Sequence, residues 1–182
     1  MSEMFYKLWD AGIIQLGIWE TIYMTVISTF FAYLLGMPMG ILLHVTEKGG
    51  IHPLPGTNRI LGSVINIFRS IPFIILMVAM LPVANLIVGT SLGNQAMIVT
   101  LVIAATPYVA RMVEASMKEV GAGVIEAAQA MGTSSLKIIW KVLIPEAKPA
   151  LLTGGIISMV TILGYSAMAG VIGGGGLGKI AI

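Results

Sequence analysis

Three long runs without a charged side chain govern what this 182-residue chain can fold into. The run from Thr21 to Thr46 has 26 residues, the one from Ser70 to Ala110 has 41, and the one from Pro149 to Gly178 has 30. A bilayer's hydrocarbon core is about 30 Å thick, and roughly 20 apolar helical residues cross it. Each run can therefore cross once, and the middle one twice. Pro82, Asn85, Gly89, Thr90, Ser91, Gly93 and Asn94 interrupt that middle run with residues that let a chain reverse. The expectation is an all-α polytopic membrane protein with four spans near 20–45, 67–88, 94–116 and 148–170. Connecting segments fall near 46–60, 89–93 and 117–147. Gly36, Pro38 and Gly40 can bend the first span.

Composition removes the soluble alternatives. Hydrophobic residues make up 57% of the chain and charged residues 10%, against about a quarter charged in a soluble domain. A net charge of +2 is too small for the phosphate-neutralising footprint of a nucleic-acid partner. With no cysteine, a disulfide framework, a thiolate metal site and a cysteine nucleophile are excluded together. No metal site is expected. Met1 to Asp10 lacks the pattern of a removable signal peptide, so the first apolar segment stays in the mature chain.

Charge placement sets the orientation. Lys48, Arg59, Arg69, Arg111, Lys118, Lys137, Lys141 and Lys148 all fall in segments 46–69 and 111–148, and the 89–93 loop has no Lys or Arg. The positive-inside rule puts those two segments in the cytoplasm and the N-terminus outside. Phe5, Tyr6, Trp9, Trp19 and Tyr23 then form an outer aromatic belt.

The long cytoplasmic segment reads Glu126-Ala127-Ala128-Gln129-Ala130-Met131-Gly132, with Val142-Leu143-Ile144-Pro145 following Thr133 to Lys141. Ala127, Ala128 and Ala130 favour helix and offer a low surface that another protein can approach. Gly132 ends that helix, and Thr133 or Ser134 caps a second one, whose apolar stripe is Leu136, Ile138, Ile139, Val142 and Leu143. Pro145 starts the run into the last span. A short helix hinged between two spans is a lever that an outside motor can push.

This spacing resembles the EAA motif of ABC importer permeases: Glu-Ala-Ala, three residues, Gly, nine residues, then aliphatic, any residue, aliphatic, Pro. The resemblance runs through nearly the whole chain and is strongest to permease subunits of bacterial methionine importers. It is carried by Val64 to Leu76, Val88 to Gly93, Pro107 to Glu114 and Gly164 to Gly178. It implies a single permease domain over residues 1–182 with the helical bundle of the type I ABC importers, in the bacterial inner membrane. It implies that Glu126, Ala127, Ala128, Gly132 and Pro145 form the docking loop, at about 117–147. It further implies a second copy of the chain, a cytoplasmic ABC ATPase dimer and an extracytoplasmic methionine-binding protein. ATP and Mg then act on the ATPase, the chain carries no cofactor, and methionine, L- and D-, is the cargo of an alternating-access cycle. Tyr165, Ser166 and Met168 are the candidates for the translocation pathway. The family has a further membrane helix after the glycine-rich stretch, where this sequence stops at Ile182.

Other readings are weaker. Gly173, Gly178 and Lys179 imitate part of a phosphate-binding P-loop, but Ile180 stands where the Ser or Thr belongs and no strand is expected before them. Ser166 as a nucleophile has no base: His44 and His52 are placed at the opposite end of the spans. Arg111 and Glu114, three apart on a helix, pair; an exchange of partners during transport is a second role for them. A permease for another amino acid or small polar solute, an ion-coupled carrier and an intramembrane hydrolase complete the alternatives. The spans lack the midplane ionisable group that the carrier needs, and the hydrolase lacks an acid–base set.

Overall fold

The computed structural model describes Trp9 and residues 11–181. Phe5 and Tyr6 of the expected aromatic belt lie outside the described residues. Every regular element among the described residues is helical. In chain order these are α1 (Ile13–Thr46), α2 (Pro55–Ser70), α3 (Phe73–Ala79), α4 (Leu81–Val88), α5 (Gly93–Lys118), α6 (Ala122–Ala130), α7 (Ser135–Ile138), α8 (Ile144–Ser166) and α9 (Leu177–Ala181). A π-helical turn, Ile139–Leu143, joins α7 to α8 without a break, and a 3₁₀ stretch, Ala167–Ile172, prolongs α8.

Among the described residues, three continuous helical stretches are long and apolar enough to cross a bilayer: Ile13–Thr46, Gly93–Lys118 and Ser135–Ile172. At 1.5 Å per residue, α1 measures about 51 Å, longer than the hydrocarbon core, so it tilts or extends beyond it. The expected span over 67–88 differs in form, being the end of α2 followed by α3 and α4. Proline is the reason. Pro72 has no N–H to give and disfavours helix at Ile71; it caps α3 instead, its carbonyl accepting from the Ile75 and Leu76 amides. Pro82 lies in the first turn of α4, where a missing donor costs little. The reversal falls where its turn residues stand: α4 ends on left-handed Gly89 (φ +76°) and α5 opens at Gly93 (φ +87°).

The described residues pack as two compact units. One gathers residues up to Ala32, Ile71–Ala105 and those from Met159 onward; the other comprises Tyr33–Ser70 and Thr106–Ser158. In the second unit, Gly36 and Gly40 bring the α1 backbone against α5. A Cβ on Gly36 would stand 2.8 Å from Val109 Cγ1, and one on Gly40 2.6 Å from Val113 Cβ. Leu43, Ile65 and Ala110 form a buried cluster flanked by Met39 and Leu61. The C-terminal carbonyls of α1 find partners locally: Asn58 Nδ2 donates to Leu43 O at 2.6 Å, and the His52 and Leu54 amides donate to Val45 and Thr46. In the first unit Met24, Met77, Met97, Leu101 and Ile162 are fully buried.

Several hydroxyls inside the long helices bond to their own backbone, although Thr25 Oγ1 and Ser28 Oγ in α1 are buried without a hydrogen-bond partner. Thr29, Ser116, Thr153 and Ser158 each donate to the carbonyl four residues back on their own helix. A hydroxyl without water needs such a partner.

Candidate coupling site

The connection between α5 and α8 is built around α6. Gly121 breaks from α5 with φ −59° and ψ 130°, and α6 then runs Ala122–Ala130. Its end is a complete Schellman turn: the Gly132 amide donates to Gln129 O at 2.9 Å, the Thr133 amide donates to Ala128 O at 3.1 Å, and Gly132 has φ +73°. Only glycine takes that conformation cheaply, so the fixed Gly of the motif is a helix terminator. Ser134 follows at the cap position of α7 with extended backbone and no side-chain capping bond.

The face of α6 divides. Glu126 and Ala127 are exposed, as are Ala130 and Gly132, whereas Ala128 is 3% exposed and packed inward. The expectation that Ala128 belongs to an approachable surface is therefore corrected. Its small size serves packing beneath α6, and the surface above is Val124, Ala127, Ala130 and Met131. Of the expected apolar stripe, Leu136 is 70% exposed, while Ile138 and Leu143 are buried.

Pro145 does not open a helix. The chain is helical from Ser135 through Pro145 into α8. Lacking an N–H, Pro145 leaves the Lys141 carbonyl without its ordinary partner and crowds that turn with its ring. The wider π turn at Ile139–Leu143, just before it, makes room. The fixed proline thus marks a local change of helical register between α7 and the long apolar helix.

Beside α6 in the same unit lies a cavity of about 260 Å³, lined by His44, Glu47, Lys48, Lys118, Glu126 and Gln129 among others. Of its lining, Glu47 and Lys118 belong to an ionic ladder that continues along α5. Arg111 Nη1 meets Glu114 Oε2 at 2.6 Å, as the i,i+3 spacing predicts. Lys118 Nζ adds contacts of 3.0 Å to Glu114 Oε1 and to Glu47 Oε2. Arg111 Nη2 also donates to Asn66 Oδ1 at 3.0 Å and to Gly62 O at 3.2 Å, tying α2 to α5. Two cations and two carboxylates balance, which removes most of the cost of holding ions near an apolar bundle. Lys118 was visible in the sequence at i+4 from Glu114; Glu47, 71 residues away from Lys118, was not.

The first unit holds the pathway candidates. Tyr165 stacks on Phe73 with ring centroids 4.4 Å apart and planes 3° from parallel. Ser166 is 2% exposed and donates to Leu163 O at 2.7 Å, the backbone bond of a helical serine. Met168 is 36% exposed. The glycines after them do not form a phosphate loop. The Gly175, Gly176 and Leu177 amides are already taken by Asn94 Oδ1, Glu20 Oε2 and Thr21 Oγ1. Among the described residues, no group of three or more His, Asp or Glu is placed to hold a metal.

Residues 36–182, which include the coupling segment and the glycine turn, match the model of the family described as binding-protein-dependent transport system inner membrane component. The chain belongs to this family. Among its relatives, the D-methionine transport system permease protein MetI of Yersinia pestis is 52% identical over 154 residues, covering 85% of this chain and 71% of that one. The Escherichia coli K12 protein of the same name is 50% identical over the same lengths. An inward-facing structure of the MetNI methionine ABC transporter superposes with a TM-score of 0.91 at 48% identity, over 93% of this chain and 78% of its counterpart. The all-helical fold is that of a type I ABC importer permease. Its relatives are permease subunits of an ABC transporter, and this chain is a non-catalytic membrane component of that kind, the ATPase being a separate subunit in MetNI.

Proposed function

We propose that this permease carries methionine, in L- or D-form, across the bacterial inner membrane by alternating between outward- and inward-facing states. In this reading residues 1–182 act as one permease domain, since α1, α5 and α8 each contribute to both packed units. Two copies pair, an extracytoplasmic binding protein delivers cargo, and an ABC ATPase dimer supplies ATP and Mg. The N-terminus lies outside and α6 in the cytoplasm, the orientation the lysines and arginines favour.

The observation that carries the proposal is α6 itself. It is nine residues long, bounded by Gly121 and left-handed Gly132, and it presents Glu126 and Ala127 outward on a low surface. A helix fixed at both ends by glycine hinges moves as a unit, and its alanines let a groove on the ATPase close over it. Gly132 sets where that helix stops, and Pro145 sets the register at which its motion enters the long helix. Tyr165, Ser166 and Met168 remain the proposed pathway residues. Ser166 contributes there through its helix bond, and Tyr165 and Met168 through their partly exposed side chains.

Cargo is tested by uptake of labelled methionine into proteoliposomes holding the assembled complex and binding protein, with unlabelled amino acids as competitors. Suppression by L- and D-methionine alone supports the proposal. Equal suppression by unrelated amino acids would assign another cargo.

A further inference from the structure

The glycine turn in the first unit is held by side chains that lie outside the coupling segment. Glu20, on α1, places Oε2 2.6 Å from the Gly176 amide nitrogen and Oε1 2.9 Å from Asn94 Nδ2 on α5. Asn94 turns its Oδ1 to the Gly175 amide at 2.5 Å, and Thr21 Oγ1 accepts from the Leu177 amide at 2.9 Å. Both carboxylate oxygens accept, and each donor in the set has an acceptor. Reversing the Asn94 amide would set donor against donor on one side and acceptor against acceptor on the other.

The turn is shaped around this carboxylate. Gly176 has φ +85°, and a Cβ on Gly175 would overlap the Glu20 carboxyl group. The turn in turn packs on the 3₁₀ stretch: the Gly174 amide donates to Ala169 O at 2.9 Å, and a side chain at Gly178 would strike the Ala167 backbone. That stretch directly follows Tyr165 and Ser166. A carboxylate on an apolar helix is costly unless it has a task, and here it fixes three segments of chain relative to one another.

We propose that Glu20 is a positioning residue for transport: its carboxylate, read by Asn94 and the Gly176 amide, holds the glycine turn and through it Ala167–Ile172 in the geometry that lets the pathway work. This rests on the permease reading above and on Tyr165 and Met168 lining the pathway.

The donor pattern provides a reciprocal test. Glu20→Gln replaces one accepting oxygen by an NH₂ that faces a donor on either side. Asn94→Asp sets two carboxylates against each other. Combined, the new amide donates to the new carboxylate, which still accepts from Gly175, and the site's charge is unchanged. Uptake is measured per assembled complex in proteoliposomes, alongside hydrogen exchange at the Gly176 amide. Each single variant should lower uptake about tenfold, the loss of one hydrogen bond to a charged group, and speed exchange at Gly176. The pair should return uptake to within about threefold of wild type.

Wild-type uptake by Glu20→Gln, or a double variant no better than the singles, overturns the proposal. So does a loss that disappears once uptake is divided by the amount of assembled complex, since Glu20 would then serve assembly alone. Hydrogen exchange needs no cargo. If the wild type transports a solute other than methionine, the cargo reading fails by itself, and uptake of that solute judges the same four proteins.

Discussion

Replacing Gly40 with alanine tests the packing that holds α1 against α5. The added Cβ would stand 2.6 Å from Val113 Cβ and 2.8 Å from Val113 Cγ1, and would also press on the Ala110 carbonyl. Carbon atoms settle at about 3.5–4.0 Å, so the two backbones must separate by roughly 1 Å. Part of what is pressed is backbone, which has no rotamer to escape into. Overpacking of this kind costs about 1–3 kcal/mol. Alanine offsets up to about 1 kcal/mol of that through helix propensity. A net loss of about 1–2 kcal/mol is therefore expected, roughly five- to thirtyfold in the folded-to-unfolded ratio. Gly56 on α2 is the control, because a Cβ there meets nothing within 4 Å; Gly56→Ala should leave stability unchanged or raise it slightly. Denaturant unfolding of the detergent-solubilised protein reads both. A Gly40→Ala protein as stable as the Gly56→Ala protein would refute the argument that glycine is there for close approach.

Three further outcomes follow from the same geometry. Ala128→Leu should destabilise the chain by about 1–3 kcal/mol in the same unfolding assay because it overfills a buried position, whereas Ala127→Leu, on the exposed face, should leave unfolding unchanged. Removing the outer rung of the ladder by Glu47→Gln should cost about 1 kcal/mol or less in that assay, because the contact is partly exposed and Lys118 keeps its Glu114 partner. Pro145→Ala restores a donor to the Lys141 carbonyl; the π turn should relax toward α-helix, seen as a shift in spin-label distance between positions flanking 139–145, and unfolding stability should hold or rise.

The spans were readable because charge is forbidden in hydrocarbon: runs such as Thr21–Thr46 need no knowledge of packing. The α6 hinge was readable because Gly132 and the alanines before it carry local conformational preferences. The break at Pro72 is not visible in a count of apolar residues, because it comes from the N–H that Pro72 lacks and the helix it disfavours at Ile71. Ala128 was misplaced because composition alone does not say which face of a nine-residue helix points inward. Glu20 went unnoticed as a site for a different reason: its partners Asn94 and Gly176 lie 74 and 156 residues along the chain, and only the folded bundle brings them together. The amides of the glycine stretch are for the same reason engaged by side chains from α1 and α5 that no local pattern reveals.

The most direct measurement of the central claim, that this permease is moved through α6 by a separate ATPase, is methionine uptake in proteoliposomes with and without the ATPase, using wild type and Ala127→Leu. The account predicts ATP-dependent uptake by wild type, none without the ATPase, and a loss of about tenfold or more in Ala127→Leu with its fold intact, an interface residue of this kind costing about 1.4 kcal/mol or more. Uptake that persists without the ATPase, or that Ala127→Leu leaves at the wild-type rate, would contradict it.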